Sequence, residues 1–238
     1  MPSMPDPAAG TVTRRAERRA ATVAEIKAHA RRQLATEGTG GLSLRGIARS
    51  MRMSPAALFR YFDSQTALIT ALCVDAYDAL NDSITEAQSA ADPDPAAQWR
   101  TLCLTTRRWA LDHSADFALI NGTPIPGFEA RPEDTGPAAG RLLTLVSSGY
   151  IAAIASGAAD PAATQVPPLA TGPLLNSLLG TDSMPDSPIP GIVLNGWASI
   201  LGFIAAEVFG SLGTLIADPD ALYDAHLRTV MHGMGFTA

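Results

Sequence analysis

Arginine dominates the chemistry on offer in this chain. Arg14, Arg15, Arg18 and Arg19 form two adjacent pairs near the N-terminus, and Arg45, Arg49, Arg52 and Arg60 follow. Guanidinium groups stay charged at any physiological pH and meet phosphate or carboxylate with paired N–H donors. Their distribution is uneven. Residues 1–62 hold eleven basic and four acidic side chains, a net of +7, whereas residues 63–238 hold six basic and nineteen acidic ones, a net of −13. The whole-chain charge of −6 conceals this. A cationic head on an anionic remainder is a pattern suited to a polyanion such as nucleic acid.

Other chemistries find little support. There is no GxSxG, HExxH, P-loop or GxGxxG motif, and the Gly-rich Gly38–Gly41 is followed by no lysine, so it reads as a helix stop. Enzymatic activity is not expected. Cys73 and Cys103 form no zinc-type pair and are expected to be two buried thiols. His113, His226 and His232 do not cluster with carboxylates at ligand spacing, so neither a metal nor a cofactor is expected.

The elements that must position the arginines are helical. Residues 1–12 are rich in Pro, Gly and Ala and read as a disordered arm. From Thr13 to Glu37 no Gly or Pro interrupts a stripe of Val23, Ile26, Ala30 and Leu34. Ser43 can cap a helix over 44–50, and Arg52-Met53 forms a turn. Ser54-Pro55, a cap followed by proline at the first helical position, starts a second short helix running to about Tyr61. A long helix follows from Asp63-Ser64 to about Ala91. Further helices are predicted near 95–113, 114–121, 137–157, 168–180, 190–212 and 219–235, with no strands. The fold class is therefore all-α, with a three-helix unit over 13–63 and a larger helical unit over 64–238.

Two short helices joined by a tight turn make a helix-turn-helix, whose second helix enters the major groove of duplex DNA. Leu44, Ile47, Met51, Met53, Leu58 and Phe62 close over the first helix. The DNA-binding candidates are Ser43, Arg45, Arg52, Ser54, Ala56, Ala57, Phe59, Arg60, Tyr61 and Gln65, together with the arm residues Arg14, Arg15 and Arg18. Small Ala56 and Ala57 permit close approach to bases. Arg60 can reach a guanine edge or a phosphate, Tyr61 a phosphate, and the remaining arginines neutralise backbone charge.

The span GLSLRGIARSMRMSPAALFRYFDSQTALITAL, residues 41–72, resembles the N-terminal DNA-binding domain of TetR-type transcriptional regulators. LSLRGIA matches the second helix, SPAALFRYF the recognition helix and DSQTALI the start of the connecting helix. Three positions depart from the family pattern. Arg52 stands where Gly is usual, Phe59 where Tyr is usual and Gln65 where Lys is usual. In the later part, RRWALDHSADFALINGTPIPGFEA and NGWASILGFIAAEVFG resemble the subgroup with a Trp-His-Gly signature. Trp197 and Gly202 fit it, while Leu201 occupies the His position.

The resemblance implies a homodimer on a palindromic operator and a small-molecule effector pocket between central helices. Trp109, Phe117, Ile120, Phe128, Tyr150 and Trp197 are the candidate lining, with a mostly apolar ligand expected. Repression relieved by that effector is the family's usual role. The helices near 190–212 and 219–235 are more apolar than one intrachain face needs, which independently suggests a four-helix dimer interface; Ile200, Ile204, Val208, Leu227 and Met231 are the candidates. The alternative is a DNA-binding dimer controlled by a protein partner, which a body without an internal apolar cavity would favour. The N-terminus has no apolar signal-peptide core, so a cytoplasmic location is expected. Residues 189–206 are uncharged, but Pro190, Asn195 and the adjoining Glu207 argue for a helix buried in protein rather than in a membrane.

Overall fold

The computed structural model describes residues 7–122, 125, 128, 131–170, 172–179, 187–213 and 215–237. These form ten α-helices, two 3₁₀ turns at Thr39–Gly41 and Pro161–Ala163, and one isolated antiparallel bridge, Ala159 to Phe236. Two compact units result: residues 1–72 with 124–130, and residues 73–123 with 131–238. The division falls within a helix, α4 (Gln65–Ala90), rather than before it, and Leu68, Ile69 and Leu72 lie buried on the head side.

In the head, α1 spans Pro7–Glu37, so residues 7–12 are helical where a disordered arm was expected; residues 1–6 lie outside the described residues. The alanines that dilute the stretch are themselves strong helix formers, and Pro7 stands at the helix start, where proline is tolerated. Helix α2 (Leu44–Ser50) and helix α3 (Pro55–Leu58) pack against each other. Ile26, Ala30, Leu34, Leu44, Ile47, Leu58 and Phe62 are buried as predicted, while Val23, Met51 and Met53 are only half-buried.

The body surrounds α5 (Pro95–Asp112), which packs on α7 (Pro132–Ser156) and α9 (Ile189–Val208); α6 (Ser114–Asn121), α8 (Pro173–Leu179) and α10 (Pro219–Gly233) also pack against α9. Its core joins Trp99, Leu102 and Cys103 to Val146, Tyr150, Ile192, Val193, Trp197, Ile200, Ile204, Tyr223 and Leu227. Buried phenols find carbonyls: Tyr150 donates to Met234 O at 2.7 Å and Tyr223 to Cys103 O at 2.8 Å. Gly196 makes room for Met234, whose sulfur would lie 2.3 Å from a Cβ at that position. Cys73 and Cys103 are free and buried; burial raises the Cys73 thiol to about 11 and Cys103 well above its usual value, so both stay protonated.

Helix ends depart from prediction for identifiable reasons. Helix α7 starts at Pro132 rather than near 137, with proline at its first position, and it runs through Pro137, which lies past the first turn and leaves one intrahelical bond unmade. Helix α8 starts at Pro173 rather than near 168, with proline again at the first position. Helix α9 stops at Val208 rather than 212. Gly210 there adopts a left-handed φ of 79°, and Ser211 N–H bonds back to Ala206 O at 2.8 Å. Helix α9 and Glu133–Ser156 are long and apolar enough to cross a membrane by length and composition alone, yet α9 directs Ile192, Val193, Ile200 and Ile204 into the protein core.

Candidate nucleic-acid interface

Side-chain caps fix the two helices of the motif. Ser43 Oγ accepts from Gly46 N–H at 3.2 Å, and Gln33 Oε1 of α1 accepts from Ser43 N–H at 3.1 Å. Ser54 Oγ accepts from Ala57 N–H at 3.2 Å, ahead of Pro55 at the first position of α3. Both serine hydroxyls therefore act first as caps, although each retains its own O–H to donate.

The turn between them is a Schellman closure. Met53 N–H bonds to Ala48 O at 2.8 Å and Arg52 N–H to Arg49 O at 3.1 Å. This geometry places its pivot in the left-handed region, and the residue there is Arg52, with φ 54°. Arg52 is the sole described non-glycine residue with positive φ. For a side chain bearing Cβ, that conformation costs roughly 1–2 kcal/mol.

Helix α3 is shorter than predicted. Regular α geometry ends at Leu58, and the chain continues through tighter i to i+3 bonds, with Tyr61 N–H to Leu58 O at 2.8 Å. Such tightening is common in a last turn. Here it lets Phe62 fold into the core while Phe59 and Arg60 stay exposed. Ala56 is exposed, and Ala57 and Tyr61 are half-buried, so the recognition face is open to solvent. Phe59 is 45% exposed, an apolar ring presented among arginines.

Six of the predicted DNA-binding residues come together. Arg14, Arg15, Arg18, Ala57, Arg60 and Tyr61 line one open cleft of about 470 Å³, joined by Arg19, Thr22 and Met53. No carboxylate lines it. Ser43, Arg45, Arg52, Ser54, Ala56, Phe59 and Gln65 lie outside the cleft; Arg45, Arg52, Ser54, Ala56, Phe59 and Gln65 are exposed and Ser43 is half-buried.

Arg19 does something its composition could not reveal. Its Nη1 donates to Arg60 O at 3.3 Å, and its guanidinium lies 5.0 Å from the centre of the Tyr61 ring. A cation thus meets a carbonyl left open at the end of the recognition turn and stacks on the adjacent aromatic face. Arg19 ties α1 to the recognition element, leaving Arg14, Arg15 and Arg18 to present charge.

The effector and dimer candidates fall differently. Trp109, Phe117, Tyr150 and Trp197 are buried in the body core; Trp109 stacks on His113 at 5.3 Å, and Tyr150 packs on Phe236 at 5.8 Å. Ile120 is half-buried, and Phe128 belongs to the stretch grouped with the head. None of the six lines any of the four clefts described. Trp109, Phe117, Tyr150 and Trp197 each pack among other core side chains. Ile200, Ile204 and Leu227 are fully buried within their own chain, so they cannot face a partner, and Met231 lines a cleft beside Phe236. Val208 is half-buried. The exposed residues of α9 are instead Leu194, Asn195, Ala198, Ser199 and Gly202, mostly small.

An arginine-lined cleft beside a capped, solvent-open second helix defines a DNA-binding regulator of the helix-turn-helix class. Residues 20–72 match the model of bacterial regulatory proteins of the tetR family, and residues 99–230 match that of the tetracyclin repressor-like C-terminal domain. The chain belongs to the TetR family of transcriptional regulators, which are not enzymes. The latter description does not specify a Trp-His-Gly subgroup. HTH-type transcriptional regulator Rv1816 of Mycobacterium tuberculosis (strain ATCC 25618 / H37Rv) is 32% identical over 229 residues, covering 92% of this chain and 95% of its own. The crystal structure of regulatory protein SCO4313 is similar at 30% identity and a TM-score of 0.70, over 91% of this chain and 98% of that one. RolR, solved in complex with resorcinol, shares the fold at 15% identity and a TM-score of 0.52, over 92% and 94% of the two chains.

Proposed function

We propose that this regulator is a ligand-responsive repressor that binds a palindromic operator as a homodimer. The observation carrying the DNA half is the carboxylate-free cleft in which Arg14, Arg15 and Arg18 converge on Arg60 and Ala57. Arg60 reads a base edge or anchors a phosphate beside it, and the three α1 arginines hold the backbone.

Dimerisation rests on the small exposed stripe of α9, Asn195, Ala198, Ser199 and Gly202, next to the exposed Ala225 and Thr229 of α10. Small residues let helices of two subunits approach closely, and a two-fold pair presents heads to half-sites about 34–36 Å apart or a multiple of that. Effector control rests on the family and on the fold shared with RolR, whose complex holds resorcinol. Helix α4 contributes residues to both units, which makes it the path from a body event to the head. A ligand that favours one body arrangement then shifts the population away from the DNA-competent one.

The test is direct. Purified protein is titrated by fluorescence anisotropy against the inverted repeat upstream of its own reading frame and against scrambled duplex. Specific binding that Arg60→Ala weakens by about 1–3 kcal/mol supports the reading; equal affinity for both duplexes overturns it. A second reading, a regulator with no small ligand, is favoured by the packing of Trp109, Phe117, Tyr150 and Trp197 as ordinary core. Under that reading, no small molecule changes operator affinity.

A further inference from the structure

We infer that the body carries a binding site for a small amphipathic carboxylate, in a cleft formed by the start of α5, the end of α7 and the end of α10. It lies apart from the central aromatic residues considered above. Binding there is expected whether or not it alters DNA affinity, so the inference does not depend on effector control.

The cleft measures about 840 Å³, within the roughly 300–1,000 Å³ of small-molecule sites. Its charge runs against its surroundings. Residues 63–238 hold only six basic residues against nineteen acidic ones, yet Arg100 and Arg228 both line this cleft, beside the exposed His232. Asp224, which does not line the cleft, fixes both guanidinia: Oδ1 accepts from Arg100 Nη2 and Oδ2 from Arg228 Nη1. Each guanidinium has five N–H donors, so most remain for a ligand. One carboxylate between two guanidinia leaves that trio with a net positive charge, which the Asp94 carboxylate of the lining offsets, so an incoming carboxylate is held by the remaining guanidinium N–H donors rather than by net charge. The single acidic residue in the lining, Asp94, is occupied as the α5 cap, its Oδ2 accepting from Ala97 N–H at 2.9 Å. The N-terminal end of that eighteen-residue helix adds a favourable dipole.

Apart from Ser156 and Thr237, the rest of the lining is apolar, and its aromatic wall is rigidly held. Phe236, Met231 and Ala158 supply a greasy wall. Phe236 is clamped from within by Trp99 at 5.5 Å and Tyr150 at 5.8 Å. Its backbone is fixed as well: Phe236 N–H bonds to Met231 O at 3.0 Å, and Thr237 N–H to Ala158 O at 3.0 Å. The bend before it needs glycine, because Gly235 has φ 82° and a Cβ there would lie 2.2 Å from Asp160 O. A preformed wall of this kind loses little freedom when a ligand binds. Two oriented guanidinia at one side and a fixed aromatic wall at another suit a carboxylate joined to a hydrocarbon or aryl body.

Isothermal titration of the full chain, without DNA, tests this with decanoate below its micellar concentration, against decan-1-ol and acetate. Saturable binding of one decanoate per chain is expected, with decan-1-ol and acetate each at least about tenfold weaker. The double variant Arg100→Gln/Arg228→Gln should weaken decanoate at least about tenfold and leave decan-1-ol unchanged, with its helical circular dichroism intact. Ala158→Phe, which fills the cleft without touching the charges, should weaken both. Equal binding of decanoate and decan-1-ol, or decanoate binding untouched by all three substitutions, overturns the assignment.

Discussion

The head and the body build with the same element, the α-helix, but Arg107, Arg131 and Arg141 of the body are treated differently from the arginines of the head cleft. In the body, Arg107 is nearly buried and locked: Nε and Nη2 donate to the two oxygens of Glu207 at 2.7 and 2.6 Å, and Asp220 lies 2.7 Å away. The bond to Glu207 above all raises its pKa beyond an already high value. Arg141 pairs with Asp78 and Asp82, and Arg131 with Asp134. In the head, Arg14, Arg15, Arg18 and Arg60 converge on a cleft with no carboxylate in its lining. Charge gathered without internal compensation favours an external counter-charge; charge that is compensated serves the fold.

The contrast predicts a division of mutational effects. The largest falls on the body core. Trp99 is fully buried between α5 and α7, 3.3 Å from where a Cβ on Gly149 would sit. Trp99→Ala should lower unfolding free energy by about 3–5 kcal/mol, read from urea denaturation. A loss under about 1 kcal/mol would mean that the core can collapse around the gap, contrary to the packing described.

The next effect falls on the open face of the head. Arg60→Ala should weaken operator binding by about 1–3 kcal/mol and relax preference at one base-pair position, while stability shifts by no more than about 0.5 kcal/mol. If stability falls and sequence preference survives, Arg60 belongs with the compensated arginines of the body.

How these roles appeared in sequence differed by region. Ser43, Ser54 and Pro55 announced the helix starts of the head because caps act over three residues, and local chemistry alone decides them. The arginine-lined cleft was half visible: the pairs at 14–15 and 18–19 gave the charge, but the inward turn of Arg19 depends on Arg60 and Tyr61, some forty residues away. In the body, Trp109 and Tyr150 could not be sorted into pocket or core, since that depends on distant neighbours such as Met234 O. Helix α9 was harder still. One stripe offers Ile200 and Ile204 and the opposite one Ala198 and Gly202, and the larger apolar residues drew attention to the face that turned inward. The small stripe is present in the sequence at the same helical spacing.

A smaller effect concerns the turn where fold and charge compete. Arg52 occupies a left-handed position that glycine adopts freely. Arg52→Gly should stabilise the protein by up to about 1 kcal/mol, the relief of strain being offset by the greater chain entropy of glycine when unfolded. The same change removes an exposed cation beside the motif, so operator affinity should fall slightly even as the melting temperature rises. A fall in both would show that the side chain of Arg52 stabilises the turn in addition to supplying charge.

The finest distinction lies within one helix. Arg14 and Arg19 both line the cleft, but only Arg19 bonds to the recognition turn. Arg14→Ala should weaken binding a few-fold on every duplex alike and lower the slope of log affinity against log salt by about one, as for the loss of one phosphate contact. Arg19→Ala releases the Arg60 carbonyl and the face of Tyr61, so its effect should be larger on operator than on scrambled DNA. Measured as a double-mutant cycle, Arg19→Ala and Arg60→Ala should be non-additive, whereas Arg14→Ala and Arg60→Ala should add within about 0.5 kcal/mol. Additivity of the first pair would place Arg19 among the simple phosphate cations and remove its role in holding the recognition element.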